Sequence, residues 1–99
     1  MIITTLDKAG IDFLVKEEGI RLKPYLDSAN VPTISVGVTY YPDGNKVTMT
    51  DRELTYDEAL LLFLNILRNY EKAVWSMTRD YINQNQFNAL VSFTYNIGI

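Results

Sequence analysis

An α+β fold is what this 99-residue chain predicts, and three observations lead there. Residues 6–18 carry apolar side chains at helical spacing and stop at Gly19. Residues 21–47 then read as short strand-like runs separated by turn clusters. Finally, two S/T/N-x-x-E/Q signatures, Thr55-x-x-Glu58 and Asn83-x-x-Gln86, each open a further helical pattern. The length supports one small domain covering 1–99. The expected order is an N-terminal helix, a small antiparallel three-stranded sheet, a long helix and a second helix behind it.

Composition narrows the function classes. An apolar fraction of 47% and a charged fraction of 21% describe a globular chain. There is no cysteine and no histidine, which argues against a disulfide framework, thiol chemistry and a zinc site. A net charge of −3 with dispersed Lys and Arg gives no electrostatic reason to expect nucleic acid. No run approaches the length of a membrane span, and residues 1–6 do not read as a signal peptide.

Thr4 and Thr5 precede Leu6 and Asp7, so the first helix is expected to be capped there and to run over 6–18. Gly10 within it costs on the order of 1 kcal/mol relative to Ala, which hints at close approach of another backbone. Ile11, Phe13, Leu14 and Val15 define an apolar arc with Glu18 near its centre and Glu17 to one side. A carboxyl aimed along such a face is costly to ionise. Gly19 suits the left-handed position that ends many helices.

The following runs are Arg21–Leu26 and 33–38, joined by the turn Asp27-Ser28-Ala29-Asn30. Pro24 and Pro32 are confined to edge or entry positions because neither donates to a sheet ladder. Residues 36–47 read as a strand, a turn at Pro42-Asp43-Gly44-Asn45 and a returning strand. That turn lacks the alternating acids of a calcium loop. Along 55–78, Leu60, Phe63, Leu64, Leu67 and Val74 keep helical spacing, and the apolar run at the start predicts burial on more than one side. In the last helix Phe87, Leu90, Val91 and Thr94 share a face, with Gly98 closing it.

The chemistry concentrates in residues 18–39, EGIRLKPYLDSANVPTISVGVT. A glutamic acid kept protonated beside a second carboxylate in a more polar loop is the equipment for splitting a glycosidic bond. Asp27 is the second carboxylate, and Thr33 opens the next run with its hydroxyl turned toward the same mouth. By spacing alone these residues are equally ordinary as a helix-end acid and a turn aspartate.

The same segment resembles the active-site stretch of phage-type lysozymes, the endolysins related to that of phage T4. The match comprises Glu-Gly, then Arg-Leu-Lys-Pro-Tyr-Leu-Asp, then Pro-Thr-Ile-Ser-Val-Gly-Val-Thr, and it resumes at 83–98, NQNQFNALVSFTYNIG. The resemblance implies a lysozyme-like fold and hydrolysis, without cofactor or metal, of the β-1,4 bond between N-acetylmuramic acid and N-acetylglucosamine of peptidoglycan. It implies Glu18 as general acid, Asp27 as the carboxylate that activates water or stabilises charge, and Thr33 as the hydroxyl that positions water. It further implies that Tyr95 lines the sugar cleft and that Gly37 admits the saccharide closely. For Tyr95 an ordinary surface aromatic is the competing reading.

Two departures stand out. Ser35 replaces a glycine of the family's Thr-Ile-Gly-x-Gly run, which implies that no glycine-dependent backbone is needed there, and Val38 stands where many members carry His. Family members also continue through further helices, so 1–99 corresponds to the N-terminal and central part of the family fold with the C-terminal helices absent. That raises a second reading, a non-catalytic lysozyme-like module that binds glycan or protein, with helix exchange between copies or a complementary C-terminal chain covering its apolar faces. A small α+β domain of unrelated function is the third. The resemblance implies synthesis in a host cytoplasm and action on the bacterial wall after release.

Overall fold

The computed structural model describes residues 3–79 and 81–97. The element order is α1 (Lys8–Glu18), β1 (Arg21–Leu26), β2 (Pro32–Ser35), α2 (Tyr56–Thr78) and α3 (Gln84–Ile97). The α+β class is as expected. The chain divides into two compact units, Val15–Ile66 and Met1–Leu14 with Leu67–Ile99.

In the first of these units β1 and β2 form an antiparallel hairpin with Tyr25 opposite Thr33 and Leu26 opposite Pro32, and a bulge between Arg21 and Tyr25. The expected third strand is reduced to single bridges, Ile34 with Val38 and Tyr40 with Lys46. The reason lies at 35–37. Ile34 and Val38 exchange two backbone hydrogen bonds of 2.9 Å, so the chain reverses between them and the run 33–38 cannot stay extended. Further on, the 42–45 turn closes as expected, with Gly44 N–H donating to Tyr41 O and Tyr41 N–H to Asn45 O.

Ser35 corrects the reading drawn from its departure from glycine. Its φ is +62°, so the left-handed backbone persists without a glycine. Such a conformation costs a non-glycine residue roughly 1–2 kcal/mol. The fully buried Ser35 hydroxyl offsets this by donating to Ala59 O at 2.6 Å. Ile34, Val36, Val38, Val47, Ala59, Phe63 and Ile66 make the core around it.

The capping box at the start of α2 forms as its sequence predicts. Glu58 N–H donates to Thr55 Oγ1, and Thr55 N–H donates to a Glu58 carboxylate that also pairs with Arg52. The apolar start of α2 is covered on more than one side, with Ala59 and Phe63 buried and Leu60, Leu62 and Leu64 half-buried, while Leu61 is 61% exposed.

In the second unit Leu6, Leu14, Leu67, Val74, Phe87 and Val91 form the core. Asp7, rather than Thr4 or Thr5, caps α1, since its Oδ1 accepts Gly10 N–H at 3.0 Å. The same oxygen accepts from Asn88 Nδ2, and both bonds hold the Asp7 carboxyl below its usual range. Gly10 meets that asparagine side chain instead of a backbone: a Cβ there would stand 2.8 Å from Asn88 Cγ. On α1 Gly10 and Leu14 are buried, whereas Phe13 is 51% exposed.

The second capping box also forms, with Gln86 N–H to Asn83 Oδ1 and Asn83 N–H to Gln86 Oε1. Phe87, Val91 and Thr94 are its buried face, while Leu90 is 39% exposed and lies at the margin. The expected closure at Gly98 lies outside the described residues.

Candidate active site

Glu18 is the last residue of α1, one turn beyond the enclosed Leu14 and on the same face. The expectation that it would be buried there is overturned, because Glu18 is exposed. The helical wheel assumes a turn that continues, and none does. Gly19 follows with φ +72°, its N–H donating to Val15 O at 2.8 Å, and the chain leaves the helix axis.

The carboxyl nevertheless lies against Gly37. A Cβ added at Gly37 would stand 2.6 Å from Glu18 Oε1, closer than real Cβ contacts come. Gly37 also has φ +70°. The missing side chain of Gly37 therefore leaves room for the Glu18 carboxyl.

Asp27 is half-buried at the end of β1. Its Oδ1 accepts two backbone N–H groups, Ala29 at 2.8 Å and Val31 at 2.9 Å. Its own carbonyl accepts Asn30 N–H, with Asn30 left-handed at φ +61°. Thr33 is buried at 2% exposure, and its hydroxyl donates to Val31 O at 2.8 Å. Thus Val31 is held on both sides, by Asp27 through its N–H and by Thr33 through its C=O. One carboxylate oxygen is committed to the turn, and among the described residues the other accepts no hydrogen bond.

Tyr25 belongs to the Arg-Leu-Lys-Pro-Tyr-Leu-Asp motif, where no role was assigned to it. It lies opposite Thr33 in the hairpin, and the Arg21 guanidinium stands 4.6 Å from its ring centroid. Burial pushes its phenol up; Arg21 opposes this, and the carboxylates of Glu18 and Asp27 both add to it. Tyr25 therefore lies within electrostatic reach of both acids. Its signal in the sequence was its place two residues before Asp27, where alternation in a strand puts both on one face.

Tyr95, in the other unit, packs edge-on against Tyr70 with ring centroids 5.0 Å apart. There too Glu71 is 6% exposed and accepts Leu6 N–H at 2.7 Å. Burial pushes its carboxyl above the usual range, against that bond and Arg68. No local pattern in the sequence distinguishes Glu71 from the other polar residues of α2. Among the described residues no group of three or more His, Cys, Asp or Glu is placed to hold a metal, and no helix is long and apolar enough to cross a membrane.

The family model for phage lysozyme matches residues 15–99. The endolysin of Salmonella phage P22 is 44% identical over 89 residues, which cover 90% of this chain and 60% of that protein. Among solved structures, the endolysin from Escherichia coli O157:H7 phage FAHEc1 superposes with a TM-score of 0.80 at 37% identity, covering 96% of this chain and 59% of that one. The muramidase domain of SpmX from Asticaccaulis excentricus gives 0.74 at 26% identity, covering 97% and 61%. The chain therefore spans about three-fifths of the length of these relatives.

Proposed function

The chain belongs to the phage lysozyme family, and from that premise we propose that it is a muramidase, hydrolysing the β-1,4 bond between N-acetylmuramic acid and N-acetylglucosamine of peptidoglycan. The observation that carries this reading is the placement, within one compact unit, of a carboxyl lodged at Gly37 and a carboxylate anchored by the Ala29 and Val31 amides.

In this mechanism Glu18 donates a proton to the leaving glycosidic oxygen. Asp27 directs water to the opposite face of the sugar or shields the positive charge developing on it. Thr33 holds the turn that presents Asp27 and orients the water. A bound glycan covering Glu18 excludes solvent from it, which the helical spacing alone does not achieve. Gly37 serves the sugar through Glu18, and Tyr95 offers an aromatic surface to the glycan. No cofactor enters. The family arrangement implies inversion, for which the two carboxyl groups should stand roughly 6.5–9.5 Å apart in the complex, against about 5–5.5 Å for a retaining route. The site of action is the bacterial wall, reached after release from the host cytoplasm.

The test is Glu18→Gln, which keeps the shape and removes the proton. Clearing of a cell-wall suspension should cease. A variant that clears it at the original rate would remove Glu18 from the acid role.

A second reading is favoured by the exposure of Glu18: a lysozyme-like module that binds glycan or protein without turnover. Purified protein that sediments with cell wall yet releases no reducing ends would select it. Either reading includes a partner for α3. That helix has no charged residue, and Leu90, Phe93 and Ile97 on it are 39%, 60% and 55% exposed. We assign this face to a second copy of the chain, with helix exchange as its form, and gel filtration showing a monomer at every concentration would argue against it.

A further inference from the structure

Next to the Asp27 turn lies an open concavity of about 390 Å³, lined by Val31, Thr39, Tyr40, Gly44 and Lys46. The hydrolytic scheme above makes no use of it. Its connection to the scheme is Val31, the residue whose N–H is bound by Asp27 and whose C=O is bound by Thr33. Whatever sits in the concavity therefore touches the residue that presents the second carboxylate.

The opposite wall is firmly built. Tyr40 pairs with Lys46 across the arm, and Val47 N–H donates to Thr39 O at 3.0 Å. Gly44 N–H donates to Tyr41 O at 2.9 Å, closing the turn above them. This fixes the backbone from which Lys46 projects. Lys46 is exposed, and among the described residues its ammonium has no ion-pair partner. The surroundings are otherwise hydroxyl and hydrocarbon: Thr39, Tyr40 and the 40% exposed Val31.

A cation among hydroxyls and a short aliphatic side chain suits a carboxylate carried on a small carbon skeleton. A neutral sugar ring requires no such charge. Within peptidoglycan the two alternating sugars differ in this respect, because only the muramyl residue bears a lactyl ether, whose acid is either free or joined to a stem peptide with its own carboxylates. The geometry points to this concavity as a subsite for the carboxylate-bearing substituent of the muramyl residue, with Lys46 as its counter-charge. The inference rests on the proposed peptidoglycan reading and adds to it a means of setting register. Seating the muramyl substituent beside Val31 selects which of the alternating bonds meets Glu18 and Asp27.

The experiment measures equilibrium binding of the intact chain to three glycans of equal length. One is a peptide-bearing peptidoglycan fragment. Another is the same fragment with its peptides removed by an amidase, leaving the lactyl acid free. The last is a chito-oligosaccharide with no carboxylate. Wild type should prefer the carboxylate-bearing fragments. Lys46→Gln should reduce that preference about fivefold, the size of an exposed ion pair, or about 1 kcal/mol at 1.4 kcal/mol per decade. Lys46→Arg should restore it, and added salt should erode it in wild type but not in Lys46→Gln. Loss of preference on peptide removal assigns the stem-peptide carboxylate to Lys46; retention assigns the lactyl one. A Lys46→Gln protein with the wild-type preference overturns the inference alone. Failure of wild type to bind any of the three overturns the peptidoglycan reading and the subsite with it.

Discussion

Gly37→Ala separates the placement of Glu18 from the stability of the fold. The backbone at residue 37 has φ +70°, so any side chain there costs roughly 1–2 kcal/mol. Reduced freedom of the unfolded chain returns about 0.4–1 kcal/mol of that. A net loss of about 1 kcal/mol should lower Tm by roughly 5 °C for a chain of this size. The second effect is local. The new methyl would meet Glu18 Oε1 at 2.6 Å, and the carboxyl must withdraw by roughly 1 Å to reach ordinary contact. Because Glu18 is exposed, it swings into water at little energetic cost. In a double-mutant cycle with Glu18→Ala the stability coupling should therefore stay below about 0.5 kcal/mol. Activity should behave differently, since a misplacement of about 1 Å at a reacting group costs on the order of a hundredfold. Thermal unfolding and turbidity clearing, the latter well below Tm, give the two readings. A folded Gly37→Ala protein clearing cell wall at the wild-type rate would refute the argument that Gly37 positions the acid.

Further expectations concern other carboxylates and a helix cap. Asp27→Asn keeps an oxygen to accept the Ala29 and Val31 amides, so it should unfold at the wild-type temperature while clearing is lost; Asp27→Ala should lose both. A raised folded-state value at Glu71 means that its contribution to stability is complete below the unfolded value and fades as pH climbs through the folded one. Glu71→Gln, which retains an acceptor for Leu6 N–H, should accordingly gain Tm on wild type as pH rises from about 4.5. Glu58 behaves oppositely. Arg52 and then the Thr55 N–H hold its carboxyl at about 2, so its contribution is present above 4.5 and lost as pH falls toward 2. Arg52→Gln should flatten Tm over that acid window. Asn83→Ala removes the α3 cap and should cost about 1 kcal/mol in urea unfolding.

Local patterns were enough for much of the architecture. Thr55 with Glu58, and Asn83 with Gln86, form caps through bonds spanning three residues, so the information they need is adjacent in the chain. The same holds for Gly19 at the end of α1 and for the Asp27 turn, whose bonds reach no further than Val31. The family motif singles out Glu18, Asp27 and Thr33 as candidates for a related reason: all three fall in one short segment. Their environment was a different matter. Spacing along α1 aimed Glu18 at the apolar face, but whether a face is covered depends on what lies over it, and the helix ends at that residue.

Tertiary structure decided the remainder. Ser35 keeps a left-handed backbone because its hydroxyl reaches Ala59, and a partner so far along the chain leaves no trace in the local sequence. Gly37 has its role because the end of α1 comes to rest against it. Glu71 is enclosed beside Leu6, a partner far along the chain. Short-range hydrogen bonds and helical period are written residue by residue, whereas burial and close approach belong to pairs of residues that only folding brings together.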